Sequence, residues 1–129
     1  MSLATQLTIS VKNERGALAS LCSELAKVAV NITAIYVPDQ SSQASIRLVA
    51  TPLEAATKTL EKLGLPFHEE TVLAVHLPDR PGALGKATRK LAEKGIDILY
   101  VYGTIERRSG RATVIMGVSD LEAAAEIVK

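Results

Sequence analysis

Apolar and polar residues alternate near the start of the chain. Leu7, Ile9 and Val11 fall on one side and Thr8, Ser10 and Lys12 on the other, a period of two that predicts a half-buried strand. The period then lengthens: Leu18, Leu21, Cys22, Leu25 and Ala29 recur at helical spacing, one apolar stripe on a helix from about 16 to 29. Two extended runs follow, 32–37 and 45–50, separated by Pro38-Asp39-Gln40-Ser41-Ser42, a turn-prone composition. Thr51-Pro52-Leu53-Glu54 then reads as a helix start, with threonine as cap, proline in the first helical position and glutamate reaching back to the cap amide. That helix carries the stripe Leu53, Ala56, Leu60 and Leu63 and ends at Gly64, a residue suited to a helix C-terminus. A last short strand is expected near 67–70.

The same succession then begins again. With Gly16 placed over Gly82, an offset of 66, residues 7–36 align with 73–102 without a gap, and eight of the thirty pairs are identical. The identities are Leu7/Leu73, Gly16/Gly82, Ala17/Ala83, Leu18/Leu84, Leu25/Leu91, Ala26/Ala92, Ile32/Ile98 and Tyr36/Tyr102. Leu53-Glu54-Ala55-Ala56 matches Leu121-Glu122-Ala123-Ala124 at an offset of 68. Two extra residues in the second copy therefore belong in the loop around Arg107-Arg108-Ser109-Gly110. Self-similarity at one period marks a duplicated module.

Copy two is expected to run as a strand over 72–77, a helix over 82–94, strands near 97–106 and 111–118, and a helix opened by the capping box Ser119-Asp120-Leu121-Glu122. The order β-α-β-β-α, closed in copy one by a further strand, fits a ferredoxin-like split βαβ module with helices on one face of an antiparallel sheet. The fold expected is α+β: two βαββαβ modules in tandem, residues 1–70 and 71–129, the second lacking its last strand. Residues 32–37 and 98–102 are apolar on both faces, since Ile35, Val37, Leu99 and Val101 oppose the core-facing positions. In this topology they lie at sheet edges, and such edges invite pairing between copies or chains.

Composition narrows the function classes. Fifteen basic residues meet fourteen acidic ones, a net charge of +1 over 129 residues, so no basic field points to nucleic acid. The basic run Arg107-Arg108-Ser109-Gly110-Arg111 precedes Ala112-Thr113-Val114-Ile115-Met116, which has no aromatic platform for stacking bases. No apolar stretch reaches the length of a membrane span and no signal-peptide pattern opens the chain. One cysteine, Cys22, cannot form an internal disulfide, so a cytoplasmic location is expected. Two histidines and one cysteine without ligand spacing give no metal site, and no acid/base or nucleophile constellation suggests an enzyme. No cofactor motif is present. Gly82-Ala83-Leu84-Gly85-Lys86 fails as a phosphate loop, because Arg80 stands where its first glycine is required. Gly85 is expected instead to let helix and sheet pack closely.

The sharpest local chemistry is Asp79-Arg80-Pro81-Gly82-Ala83-Leu84, between a strand end and a helix start. Proline fixes the backbone at a helix entrance and glycine lets a ligand approach it. Free amides of a first helical turn carry partial positive charge and can receive a small carboxylate. Asp79 can cap the helix or accept a ligand ammonium. Copy one has Asn13-Glu14-Arg15-Gly16 at the same place and Asn31 before its second strand; the counterparts of the two asparagines in copy two are Asp79 and Asp97. An asparagine side chain offers both an acceptor and a donor, so Asn13 and Asn31 can hold the ammonium and carboxylate of a free amino acid.

Strand, Asn/Asp-x-Pro-Gly-x-Leu, helix, Val/Ile-Asn-Ile and strand, in that order, resemble an ACT domain, and the likeness runs from about Gln6 to Val128. The resemblance implies a module that senses small molecules, commonly amino acids, at its first loop and at domain interfaces. It also implies that Asn13 and Asn31 hold the ligand, as the loop asparagine and the asparagine before the second strand do in serine-sensing members. Arg15 replaces the family's proline and Asp97 its asparagine. The function expected is a regulatory amino-acid sensor acting through domain or subunit packing, homodimeric through its sheet edges. The alternative is a ligand-free dimerising adaptor or regulatory subunit of a separate metabolic enzyme.

Overall fold

A computed structural model describes residues 2–12, 14–38, 43–106 and 108–127. Six strands and four helices follow in the order β1 (Ser2–Lys12), α1 (Ala17–Lys27), β2 (Asn31–Tyr36), β3 (Gln43–Thr51), α2 (Leu53–Leu63), β4 (Phe67–Pro78), α3 (Ala83–Glu93), β5 (Ile98–Glu106), β6 (Arg111–Val118) and α4 (Leu121–Ile127). The chain divides into two compact units, Thr5–Glu70 and Thr71–Lys129, the latter together with Met1–Ala4. All of the described strand pairs are antiparallel.

In the unit Thr5–Glu70 the strand order is β2-β3-β1-β4. The alternation of β1 sets its register: Leu7 faces Leu48 and Ile9 faces Ile46, so one face of the sheet is continuously apolar. Onto that face α1 lays Leu21 and Leu25, and α2 lays Ala56 and Leu60, completing a core with Val11 and Ala50. Each fully buried leucine or isoleucine contributes roughly 1.5–3 kcal/mol of transfer free energy. Two sequence expectations give way at the ends of the α1 stripe. Leu18 is 41% exposed, and Ala29 lies beyond the helix at φ 57.

The second unit repeats the plan with β4-β6-β5. Leu73 and Val75 of β4 meet Met116 and Val114 of β6, and Leu91 of α3 and Ala124 of α4 pack over them. Among the described residues no strand follows α4. The start of β1, Ser2–Ala4, groups with this unit instead, β1 lying next to β4 in the strand order. That arrangement explains why β1 begins five residues before the alternation at Leu7 becomes legible, and why β4 is one strand of twelve residues. The outermost strands are β2 and β5. Ile35, Leu99 and Val101 are exposed on them, and Val37 is exposed just past the end of β2. Register shifts after Ile32 and Ile98 set Ile35 against Leu48 and Val101 against Met116, so these two share the core-facing side rather than opposing it as their alternation suggests.

Helix boundaries fall within two residues of the expected positions, but their chemistry differs. Thr51 ends β3 and Pro52 occupies the cap position of α2 without a side-chain cap, so the expected threonine–glutamate box is absent. Gly64 closes α2 in the left-handed region, as its sequence position suggests. At α4 the cap is Asp120, whose Oδ1 accepts the Ala123 N–H at 3.1 Å. Ser119 is used elsewhere: its Oγ accepts the Asp97 N–H and its own N–H donates to the Asp97 carbonyl, both at 2.9 Å. Gly85 faces open space: a Cβ at this position would meet nothing within 4 Å, so the glycine does not serve close helix–sheet packing.

Candidate functional site

The turn from β4 into α3 is built from backbone hydrogen bonds. Past Pro78, the Asp79 N–H donates to the Gly110 carbonyl at 2.8 Å and the Arg80 N–H to the Pro78 carbonyl at 2.9 Å. Ala83 N–H then reaches the Arg80 carbonyl at 3.3 Å, and Lys86 N–H the Gly82 carbonyl at 2.9 Å. Gly82 sits at φ 88, a left-handed backbone that glycine adopts without steric cost.

The turn from β1 into α1 is its copy. Glu14 N–H donates to the Lys12 carbonyl at 2.8 Å, Ala17 N–H to the Glu14 carbonyl at 3.1 Å and Ser20 N–H to the Gly16 carbonyl at 2.9 Å, with Gly16 at φ 84. Each bond has its counterpart 66 residues later. Arg15 in place of a proline therefore leaves the turn closing the same way. Among the described residues no side chain caps either helix, so Asp79 does not serve as the cap of α3. The Ala83 and Ala17 N–H groups are taken by turn carbonyls, while the first turn of each helix carries the positive end of its dipole.

Beside each turn lies a cleft. That of the second unit has a volume of about 420 Å³. Leu77, Ala112 and Val114 form its floor, β5 contributes one wall from Val101 to Thr104, and Asp79, Arg80, Ala83 and Leu84 form the other. In the first unit a cleft of about 530 Å³ lies between the turn residues Lys12, Glu14 and Ala17 and the 63–66 segment that joins α2 to β4. The two clefts thus open on different sides of equivalent corners.

Of the twelve residues singled out in the sequence, Asp79, Arg80, Ala83 and Leu84 line one cleft and Glu14 lines the other. Pro81, Gly82, Arg15 and Gly16 form the exposed turns between them. Asn31 opens β2, paired with Thr51, and is exposed. Asp97 is exposed just before β5, its main chain tied to Ser119. Neither lines these clefts. Eleven helical residues separate Asn31 from its own corner, about 16 Å along the helix axis. Asn13 lies outside the described residues.

Sequence reasoning missed Val101, Gly103, Thr104, Ala112 and Val114 as cleft residues. Their approach to the corner depends on the pairing of β5 with β6, in which Gly103 faces Val114 and Val101 faces Met116. Tyr102 was visible as one of the identities between the copies, and it also lines the cleft. Leu18, placed in the core stripe by its spacing, and Leu84, singled out with its corner, carry a subtler signal: an identical leucine stands exposed at both corners.

Other candidate chemistry stays dispersed. His76 is exposed and shares a 3.1 Å hydrogen bond with Thr113 Oγ1, and His68 contacts Glu70 at 2.7 Å. Cys22 is half-buried on α1. Among the described residues no three His, Cys, Asp or Glu side chains gather as a metal site, and no helix is long and apolar enough to cross a membrane.

Comparison with known proteins places this geometry in a family. No curated protein matches the sequence. Among solved structures, protein BT0572 from Bacteroides thetaiotaomicron is 26% identical, with a TM-score of 0.91 over 97% of this chain and 85% of that one. The ligand-free regulatory subunit of aspartate kinase from Thermus thermophilus shares the fold at 18% identity and a TM-score of 0.71, over 99% of this chain and 95% of that one. The regulatory subunit of aspartate kinase from Thermus flavus gives 19% and 0.65, over 99% and 91%. The family model for the ACT domain pair matches residues 1–128. The chain therefore belongs to the ACT domain pair family.

Proposed function

We propose that this protein is a regulatory sensor of a small metabolite, a free amino acid, received at a strand–loop–helix corner and signalled through the packing of units or subunits. The observation that carries this reading is the repeated corner: a helix start without a side-chain cap, directly beside a cleft of about 420 Å³ in the second unit. A small carboxylate suits the amides, and the exposed Asp79 carboxylate at the same cleft suits an ammonium. The volume falls within the range of small-molecule sites. Solved structures of the same fold that are named regulatory subunits of aspartate kinase support a regulatory role.

Asn13, Asn31 and Asp97 enter this proposal differently. Because an 11-residue helix separates Asn31 from its own corner, a site using both asparagines takes them from two chains of a homodimer. The outer strands offer the apolar edge for such pairing through Ile35, Val37, Leu99 and Val101. A ligand contacting two copies favours the paired state over the open one, and that difference in affinity is the signal. A ligand with so few atoms is expected to bind in the micromolar to millimolar range.

Isothermal titration of the full chain with each of the twenty amino acids tests this. Saturable heat with one or a few of them supports the sensor, and a flat response from folded protein removes it. A second reading, an adaptor or regulatory subunit that acts on a separate metabolic enzyme without a ligand, is favoured by those same exposed edges and by Arg15 and Asp97. Recovery of a metabolic enzyme on the immobilised chain, unaltered by any amino acid, selects it.

A further inference from the structure

The helices of the two units distribute their charges differently. In the first unit each helix carries both signs and pairs them internally. Lys27 Nζ lies 2.9 Å from Glu24 Oε1 on α1, and Lys58 Nζ lies 3.1 Å from Glu54 Oε1 on α2. In the second unit the signs are separated by helix. Lys86, Arg89 and Lys90 of α3 and Lys94 just past its end are exposed, and among the described residues none of them forms an ion pair. Glu93 is the one acidic residue of that helix. On α4 and its cap, Asp120, Glu122 and Glu126 are exposed, with no basic residue among them.

The duplication shows where this segregation comes from. At the offset of 66, Ser20, Ser23, Glu24 and Val28 stand opposite Lys86, Arg89, Lys90 and Lys94. At the offset of 68, Glu54 and Lys58 stand opposite Glu122 and Glu126, so an attractive pair has become two like charges four residues apart. Lys86, Lys90 and Lys94 repeat the same spacing with the opposite sign. Like charges at this spacing weaken a helix, and both helices of the second unit carry that cost where the first unit avoids it.

α3 and α4 are in contact over the same face of the sheet, where Leu91 and Ala124 pack. A basic row and an acidic row therefore lie side by side on one helix layer. A long polyanion laid along α3 would also meet the carboxylates of α4, whereas a surface bearing both rows satisfies both. A second copy is such a surface. A two-fold axis between the helices and parallel to the layer sets α3 of one protomer against α4 of the other at two equivalent contacts, the geometry of an isologous interface. Charges four residues apart rise about 6 Å along each helix, so successive members of the two rows meet in step.

We propose that the helix layer of the second unit docks a second copy of this chain, with Lys86, Lys90 and Lys94 of each protomer facing Glu122 and Glu126 of the other. This contact is separate from the outer strand that carries Leu99 and does not depend on a ligand. Two short helices on each side form a small interface held largely by exposed charges, so the association is expected to be weak and strongly salt-dependent.

Sedimentation of the full chain carrying Leu99→Asp, which sets outer-strand pairing aside, reads this surface alone. A dimer is expected at low salt, its dissociation constant rising about tenfold or more between roughly 50 and 500 mM salt. Lys86→Glu with Lys90→Glu reverses one row, and Glu122→Lys with Glu126→Lys reverses the other. Each double variant sets like charges face to face and is expected to weaken self-association at least about tenfold. Mixed in equal amounts, the two variants present opposite rows at both contacts, and their association is expected to return to that of the unreversed chain. Recovery in the mixture also shows that neither variant has lost its fold. A monomer at every salt concentration, association that neither reversal weakens, or a mixture no stronger than its parts overturns the assignment. Binding of a single-stranded oligonucleotide without self-association also overturns it and gives α3 to a polyanion instead.

Discussion

The ring of Tyr100 on β5 lies across Gly117 on β6, its directly paired neighbour: a side-chain carbon at 117 would clash with the ring's Cε1 and Cζ. The aromatic covers backbone that any larger residue would hide, and it does so on the outermost strand of the second unit. Gly117→Ala must therefore expel the tyrosine or part the strands. The expected cost is about 1–3 kcal/mol, as for other overpacked sites. Urea denaturation of the variant checks the magnitude, and an unchanged midpoint would show that the ring moves aside freely.

The corners predict a matched pair of effects. Gly16 and Gly82 have nothing within 4 Å of a prospective side chain, so replacement by alanine probes only the left-handed backbone. Each of Gly16→Ala and Gly82→Ala is expected to destabilise by roughly 1–2 kcal/mol. Equal losses at the two sites, measured by denaturant titration, would reflect a shared turn geometry. Gly85→Ala, three residues on and within α3, is expected to act oppositely, because no contact and no positive φ holds a glycine there. A gain of about 0.8–1 kcal/mol is expected from helix propensity alone.

Leu25 and Leu91 occupy the same place in the two cores and are both essentially without solvent exposure. Leu25→Ala and Leu91→Ala are each expected to cost about 2–5 kcal/mol. Native-state hydrogen exchange assigns each loss to its own unit: protection should fall over residues 5–70 in the first variant and over 71–127 in the second.

Leu99 is 66% exposed on β5, so a charge there should leave the isolated fold within about 0.5 kcal/mol of the parent. If the outer strands pair chains, Leu99→Asp should lower the sedimenting mass at concentrations where the parent associates. An identical sedimentation profile for parent and variant would exclude pairing through this strand.

Much of this architecture is legible from residue periods. The alternation at Leu7, Ile9 and Val11 and the middle of the helical stripe, Leu21 and Leu25, are consequences of one-sided burial and survive in the structure. The duplication made the second unit readable by transfer, down to β6 at 111–118. What escaped depended on partners distant in sequence. Residues 2–4 lack an apolar alternation of their own, and their place beside β4 is set by a unit that begins at Thr71. Ser119 reads as a helix cap by local rules but instead binds Asp97, 22 residues away. Leu18 fits the core stripe by spacing and yet stands outside it, as does its counterpart Leu84. The cleft wall formed by Val101 and Gly103 follows from the β5–β6 register, which no local pattern encodes.

The central claim concerns a few amides and the wall facing them, and amide-resolved NMR titration of the full-length protein with free amino acids tests it most directly. Saturable shifts with one or a few amino acids are expected at a strand–loop–helix corner, at Gly16 and Ala17 or at Gly82, Leu84 and Gly85. Saturable shifts that bypass both corners, or spectra that stay unchanged up to millimolar amino acid, would contradict it.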